Sequence, residues 1–287
     1  MSTMADDFKR EIPHIIVMAI LVFILLFVLT KFKWMQCTQV PGDWCSLYCS
    51  VSGNPRIAYI QGEGGIGDSL ALSNEIRKNR LYTFAEAIPI NGISSGVLKN
   101  YELIIVEGAK RMTPLQVNAL YEYASSGGGI LWIGDSGSER YLSDADIQDA
   151  LRHNMTSPGY YERVVKAVND TRGFGPTIES FLKLNYEKSE TGKNLTIKII
   201  SKDHPFTKGL KTEFQIPATE LSIVNPNSPS SSILAYAYGT ESCTEKKPCP
   251  AIIASRFSGP VAYVAFPLEE SGTKSLITNM LDYLVTC

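Results

Sequence analysis

The feature that most constrains this chain is an apolar run near its N-terminus, Ile15 to Thr30, which reads IIVMAILVFILLFVLT and contains no charged residue. With interfacial residues on both sides, about 20 residues are available, enough for a helix across a bilayer. A cleavable signal peptide is the competing interpretation, but no small-x-small cleavage site follows the run. We therefore predict a tail over residues 1–11 and a retained anchor in the lipid bilayer over residues 12–34.

The cysteines bear on which side of the membrane the rest of the chain lies, because all six follow the apolar run. Cys243 and Cys249 bracket a polar turn between two strand-like runs, which suits a disulfide across a hairpin. Cys45 and Cys49 form a second close pair, in a stalk over residues 35–55. The alternatives are a zinc site or reduced thiols in the cytosol. Disulfides predict a cell-membrane protein with its N-terminus in the cytoplasm and its C-terminal domain outside the cytosol.

The rest of the chain reads as one α/β domain over residues 56–287. A net charge of −2 and a pI near 6.0 provide no field for a phosphate backbone, so we predict no nucleic-acid partner. From Arg56 to about residue 135, apolar strands alternate with amphipathic helices, the pattern of a parallel sheet covered on both faces. Residues 139–192 predict a helical insertion, and the remainder is rich in strands before a final helix.

Finer predictions follow from local signals. Thr113 and Ser143 are placed to cap helices, and a further helix is expected from Tyr160. The segment TIESFLKLNYEKS is interpreted as a third helix of the insertion, and FQIPATELSIV as one strand-like run.

The stretch QGEGGIGDS, residues 61–69, follows the first strand, and its glycines fit G-x-G-x-x-G. In a dinucleotide-binding turn this pattern brings backbone amides to a pyrophosphate, and a later acid such as Glu86 binds the ribose. Glu63 and Asp68 lie within the loop and would repel phosphates. We therefore predict no dinucleotide cofactor, nor any other.

The same turn has two further interpretations. If the first, third and fourth strands are adjacent, the turns at 62–68, 107–112 and 134–138 meet at one crevice, which would hold a small polar or cationic ligand or a divalent metal. The candidate ligand-binding residues are Gly62, Glu63, Gly64, Gly67, Asp68, Glu107 and Gly108. In the structural alternative, Asp68 or Ser69 caps the first helix, and Glu63 and Glu107 form surface ion pairs with Lys110 and Arg111.

Three stretches carry a family resemblance: YELIIVEGAKRMTPLQVNALYEYASSGGGILWIGD, DHPFTKGL and PVAYVAFPLEESGTKSLITNMLDYL. Together they span roughly residues 56–285 and resemble class I glutamine amidotransferase-like domains, especially the non-enzymatic branch with the trehalose-utilisation-like proteins. The resemblance implies a flavodoxin-like, doubly wound, mostly parallel sheet. It also implies partners among envelope or transporter proteins.

The chain departs from the enzymatic members at the turn after the strand ILWIG. There the resemblance implies a nucleophilic cysteine, whereas this sequence has Asp135 and Ser136. Ser136 with His204 would be a hydrolase alternative, although GDSGS misses the last glycine of G-x-S-x-G. We therefore predict a membrane-anchored, catalytically inactive binding or scaffold module, with Asp135, Ser136 and His204 as the catalytic candidates. The alternatives are an extracytosolic hydrolase using Ser136 or a carboxylate-bound metal, and a cytosolic nucleotide sensor.

Overall fold

The computed structural model describes residues 3–31, 35, 40, 42, 44–53, 55–79, 84–217 and 220–285, without the side chains of residues 3–12, 45, 46, 79 and 84. The end of the predicted anchor, residues 32–34, and the thiol of Cys45 therefore lie outside the described residues. The chain divides into two compact units, Met1–Asn54 with Thr286–Cys287, and Pro55–Val285.

The described residues form nine α-helices: α1 (Thr3–Lys31), α2 (Trp44–Ser52), α3 (Ser69–Asn79), α4 (Ser95–Leu98), α5 (Pro114–Ser125), α6 (Asp144–Thr156), α7 (Tyr160–Asp170), α8 (Gly175–Leu182) and α9 (Lys274–Leu284). They form thirteen strands: β1 (Arg56–Gln61), β2 (Phe84–Pro89), β3 (Leu103–Glu107), β4 (Arg111–Met112), β5 (Gly129–Ile133), β6 (Glu139–Arg140), β7 (Leu184–Thr191), β8 (Leu195–Ile199), β9 (Glu213–Ile216), β10 (Glu220–Pro226), β11 (Ser232–Tyr238), β12 (Cys249–Arg256) and β13 (Pro260–Val264).

The first unit contains the apolar helix. Residues Pro13–Lys31 of α1 have a mean hydropathy of 2.8 and are only 6% buried, so the helix is long and apolar enough to cross a membrane. A signal sequence meets the same criteria. The segment predicted as a stalk, residues 35–55, contains α2, whose Trp44 indole donates a hydrogen bond to Thr30 Oγ1 at 3.1 Å. Tyr48, one turn further along α2, packs against Phe27 of α1.

The core of the second unit is a nine-stranded sheet within the described residues, in the order β2-β1-β3-β5-β13-β12-β11-β8-β9. Neighbours from β2 to β13 are parallel, and those from β13 to β9 are antiparallel. Only β12 and β8 run against the rest, so the sheet is mostly parallel, as predicted. Strand β3 reads as a continuous apolar run because the sheet buries both of its sides, and Leu103 to Val106 are at most 1% exposed.

The strand order explains where the helices lie. The chain steps outward from β1 to β2 and then returns past β1 to β3, so right-handed crossovers place α3 on one face and α5 on the other. Helix α9 packs against α3, and α8 packs against α5. This reversal leaves a crevice at the carboxyl ends of the central strands.

Two sequence predictions in this unit are wrong. The segment TIESFLKLNYEKS is not one helix, because α8 ends at Leu182 and Lys183 takes a left-handed φ of 61° before β7 begins. The insertion 139–192 is therefore not wholly helical. The run FQIPATELSIV is not one strand but divides into β9 and β10, which belong to different sheets. Pro217 lies between them and has no N–H to donate to a ladder.

Several local predictions are confirmed. Thr113 and Ser143 both form capping boxes, at the starts of α5 and α6, and α7 begins at Tyr160. A disulfide joins Cys243 to Cys249, across the hairpin between β11 and β12. Cys49 is also disulfide-bonded.

Candidate functional site

Three turns converge at the carboxyl edge of the parallel strands, as the sequence predicts for adjacent first, third and fourth strands. The glycine loop after β1 lies against the turn after β3, where the Gly108 N–H donates to the Ile66 carbonyl at 3.2 Å. The turn after β3 also lies against the turn after β5, where the Gly137 N–H donates a hydrogen bond to the Ala109 carbonyl at 2.8 Å. The three loops therefore form one hydrogen-bonded layer over the ends of β1, β3 and β5.

Asp135 occupies the elbow after β5 and holds this layer together. Its carboxylate is buried and accepts a hydrogen bond from the Ile66 N–H at 2.8 Å. The second oxygen lies 3.4 Å from the Lys110 ammonium, which also pairs with Glu139. Burial lowers the pKa of Lys110, but the Asp135 and Glu139 carboxylates outweigh it and raise that pKa. Asp135 is thus a structural anion that ties the glycine loop to the elbow.

Ser136 is completely buried beneath the same layer. Its hydroxyl donates to the Ile133 carbonyl at 3.0 Å and accepts from the Ala109 N–H at 3.4 Å. Both partners are backbone groups, so neither activates the hydroxyl as a general base would. Within the described residues, no histidine or carboxylate hydrogen-bonds to Ser136.

His204, the third catalytic candidate, lies in a different environment. Its Nδ1 accepts a hydrogen bond from the Phe206 N–H at 3.2 Å, and its ring packs on Phe206 and Tyr283. Burial lowers its pKa. The structure therefore gives His204 a packing role against α9 and no contact with Ser136.

The glycine loop is built for close packing. A Cβ on Gly62 would lie 2.6 Å from the Ala109 Cα, and a Cβ on Gly67, where φ is +94°, would lie 2.5 Å from Glu107 Oε1. Asp68 caps α3 by accepting from the Leu70 N–H at 2.9 Å. These contacts agree with the structural interpretation of the loop, in which Asp68 caps the first helix and the glycines allow a tight turn.

Two of the groups that a dinucleotide would use, one at the pyrophosphate and one at the ribose, are already engaged. The Ile66 N–H binds Asp135, as described above. Glu86, the candidate ribose ligand, accepts a hydrogen bond from the Tyr101 hydroxyl at 2.6 Å and lies 3.5 Å from Arg56. The arrangement does not fit a pyrophosphate on this loop.

Glu107 differs from both sequence interpretations, because it is neither at the surface nor paired with Lys110 or Arg111. Its side chain is 0% exposed, under Gly67 and beside Glu269. Burial, followed by the charge of Glu269, raises the pKa of Glu107 well above 4.5. Glu269 accepts a hydrogen bond from the Asp68 N–H at 2.7 Å. Sequence reasoning missed Glu269, for which the only signal was the pair of glutamates after the last strand.

An open crevice of about 320 Å³ lies beside this layer, at the ends of β1 and β2. It is lined by Gln61, Gly62, Glu63, Pro89, Ile90, Asn91, Arg111 and Tyr141. Of the predicted ligand-binding residues, only Gly62 and Glu63 line it. The other five predicted ligand-binding residues belong to the hydrogen-bonded layer of the three loops: Gly64, Gly67, Asp68, Glu107 and Gly108. Within the described residues, no group of three or more histidine, cysteine, aspartate or glutamate side chains is placed to hold a metal ion.

Comparisons with known proteins identify the fold. No family model matches the chain, and no curated protein does. A ThuA-like protein from Bacteroides uniformis is similar in structure, with a TM-score of 0.54 and 14% identity, covering 81% of this chain and 92% of that one. A second, from Parabacteroides merdae, has a TM-score of 0.51 and 13% identity, covering 79% and 88%.

A cold-adapted β-galactosidase from Rahnella sp. R3 is also similar, with a TM-score of 0.55 and 12% identity over 82% of this chain. The chain spans only about a third of the length of the β-galactosidases it matches, 30% to 32%. At these identities the comparisons show the fold alone, which this chain shares with the two ThuA-like proteins.

Proposed function

We propose that this chain is a single-pass membrane protein whose amidotransferase-like domain lies outside the cytosol and acts by binding rather than by catalysis. In this proposal the domain is a binding or scaffold module. It binds a small ligand in the crevice at the ends of β1 and β2, and it contacts other envelope or transporter proteins through its surface. The elbow after β5 carries the proposal.

A nucleophile at that elbow would need an exposed side chain beside a general base. Asp135 is instead buried between the Ile66 amide and the Lys110 ammonium, and its role is to fasten the loop above it. The Ser136 hydroxyl donates a hydrogen bond to one backbone carbonyl and accepts a hydrogen bond from one backbone N–H. The open crevice at the ends of β1 and β2 offers polar groups for binding, and none of its described lining residues is a serine, a cysteine or a histidine.

The first unit supports the membrane part of the proposal. The 19 residues from Pro13 to Lys31 extend about 28 Å as a helix, close to the thickness of a bilayer's hydrocarbon core. The Trp44 indole of α2 donates a hydrogen bond to Thr30, in the last turn of this helix, and tryptophan is enriched at membrane interfaces. The Cys243–Cys249 disulfide supports an oxidising compartment for the domain.

Alkaline carbonate extraction followed by intact-mass measurement tests the anchor. We expect the chain to stay with the membrane pellet and to retain residues 1–34. Release into the supernatant, or a mass that lacks this segment, would mean a cleaved signal sequence. Alkylation of native membranes with and without reductant tests the compartment, and six freely alkylated thiols would contradict an oxidising one.

Hydrolysis assays test the absence of catalysis. The full chain, purified in a non-ionic detergent, is incubated with glutamine and with p-nitrophenyl acetate. We expect the background rate of each to be the same for the wild type, for Ser136→Ala and for the control Ser126→Ala at the end of α5. A rate lost in Ser136→Ala and kept in Ser126→Ala would establish a serine hydrolase and overturn this part of the proposal.

The partner surface that we propose is the α6–α7 part of the insertion. Leu151 and Met155, four residues apart on α6, are 43% and 86% exposed, so one face of this helix presents two neighbouring apolar side chains to solvent. A photo-crosslinking residue at position 155, compared with one at the exposed Lys202, tests it in native membranes. We expect a defined adduct with an envelope or transport protein at position 155 alone. Equal adduct patterns at the two positions would exclude this surface.

A further inference from the structure

Arg140 is a half-buried cation without a carboxylate partner in the part of the chain that the structure describes. Its guanidinium donates hydrogen bonds to the backbone carbonyls of Gly137 and Phe174. Burial lowers its pKa to about 10. Buried charges in proteins are normally paired, and carbonyl dipoles compensate an arginine only in part. The remaining N–H groups of Arg140 therefore suit an anion supplied from outside the chain.

Two further arginines line the groove that Arg140 borders. This arginine groove has a volume of about 600 Å³ and is lined by Arg111, Ser138, Glu139, Arg140, Val168, Asn169, Thr171 and Arg172. Arg111 is held over the Tyr141 ring at 5.1 Å. The Arg172 guanidinium donates to the Asn169 carbonyl at 2.7 Å.

The charge in the groove is positive. Its lining contains three arginines and a single carboxylate, Glu139, among the described residues. Glu139 already lies 3.4 Å from the Lys110 ammonium. Neither Arg111 nor Arg172 has a carboxylate within ion-pair distance in the described ranges. Guanidinium groups bind carboxylate and phosphate oxygens through paired hydrogen bonds, so this groove is suited to an oxyanion.

An apolar cavity adjoins the arginine groove. It has a volume of about 270 Å³, and its lining includes Val117, Val164, Val168, Phe174 and Pro176. The two cavities share Arg140, Val168 and Thr171 in their linings, so they are adjacent. The apolar one holds roughly nine times the ~30 Å³ that a water molecule occupies in the liquid. It therefore has room for an apolar group of about the size of a phenyl ring.

We propose that the arginine groove and the apolar cavity together bind a small ligand that carries one oxyanion group, a carboxylate or a phosphate, next to an apolar group. The oxyanion lies among Arg111, Arg140 and Arg172, and the apolar group lies against Val164 and Val168. This site is separate from the crevice at the ends of β1 and β2, with which it shares only Arg111 among the described lining residues. It gives the binding function proposed above a second site and a ligand class, and it rests on that function.

Isothermal titration of the full chain in a non-ionic detergent tests the site, with phenyl phosphate, benzoate, inorganic phosphate and benzylamine as probes. We expect phenyl phosphate or benzoate to bind, about tenfold more tightly than inorganic phosphate, and benzylamine not to bind. Arg172→Gln should weaken the aromatic anion about tenfold, since it removes one charge-assisted contact at an exposed position. Arg152→Gln, on the exposed surface of α6, is the matched control and should leave binding unchanged.

Arg111→Gln provides a second exposed variant, and circular dichroism confirms that each variant is folded. Equal binding by the wild type and both groove variants would overturn the site, as would the absence of binding by either aromatic anion. Phosphatidylcholine vesicles with and without phosphatidic acid distinguish a lipid headgroup from a water-soluble ligand as the source of the oxyanion. Weaker phenyl phosphate binding in the presence of phosphatidic acid assigns the groove to lipid headgroups. Equal binding assigns it to water-soluble ligands. Carbonate extraction and crosslinking at Met155 do not depend on this groove, so a failed anion site leaves the proposed anchor and partner surface standing.

Discussion

Replacing Glu107 with glutamine should change how the stability of the domain depends on pH. Glu107 is completely buried beside Glu269, and burial followed by the Glu269 charge raises its pKa well above 4.5. In the unfolded chain the same carboxyl titrates near 4.5. Between these two pKa values the folded state holds a proton that the unfolded state has released, so the free energy of unfolding falls as the pH rises.

The size of the effect follows from a single proton. Within that window, starting near pH 4.5 and ending at the pKa of the folded state, Glu107 lowers the free energy of unfolding by about 1.4 kcal/mol per pH unit. A glutamine amide has nearly the same shape as the protonated acid but does not titrate. Glu107→Gln should therefore be similar to the wild type near pH 4.5 and become the more stable of the two as the pH rises, by that amount per unit.

Urea unfolding of the full chain in a non-ionic detergent, followed by far-ultraviolet circular dichroism from pH 4.5 to 8.5, measures the difference. Glu122→Gln, on an exposed part of α5, controls for the loss of a glutamate and should follow the wild type. A difference between Glu107→Gln and the wild type that does not change with pH would refute the reasoning, because it would mean that Glu107 is as ionised in the folded state as in the unfolded one.

Two further predictions concern packing and covalent constraint. Gly67→Ala should lower the free energy of unfolding by about 3 kcal/mol in urea, because its Cβ would lie 2.5 Å from Glu107 Oε1. Gly64→Ala, which also has positive φ but meets nothing closer than 3.8 Å, should lose only about 1 kcal/mol, and equal losses would contradict a packing role for Gly67. The double substitution of Cys243 and Cys249 by serine should cost about 2 kcal/mol, the loop-closure value for a short loop. Wild-type protein should lose at least that amount when reductant is added, because reductant also breaks the disulfide of Cys49. A double variant as stable as the oxidised wild type would show that the bond does not constrain the chain.

Much of the fold could be predicted from the sequence because its signals are local. The capping boxes at Thr113 and Ser143 each need only four consecutive residues, and the buried strands β3 and β5 read as apolar runs whatever their neighbours. The splitting of TIESFLKLNYEKS was not predictable in this way. A left-handed Lys183 and the pairing of β7 with β10 depend on a strand that lies some 35 residues further along the chain.

The candidate site divides in the same manner. The family resemblance implied that the first, third and fourth strands are adjacent, and the meeting of their turns followed because the carboxyl ends of adjacent parallel strands share an edge. The sequence also showed that the elbow has no cysteine. It did not show that Asp135 faces inward to the Ile66 amide, nor that Glu107 is buried beside Glu269. It did not indicate Arg172 as a neighbour of Arg111 and Arg140, because the three come from separate elements and meet only when α7 packs near β4 and β6.

The sequence by itself determined the apolar helix, the alternation of strands and helices and the absence of a cysteine at the elbow after β5, and it favoured a disulfide across one hairpin. These properties depend on composition and on spacing within a few residues. Only the tertiary structure decided which carboxylates are buried, which are paired with a cation and which face an open crevice. The ionisation and the partners of a side chain are set by solvent exclusion and by charges that the folded chain brings together from distant positions, and neither is encoded within a short stretch.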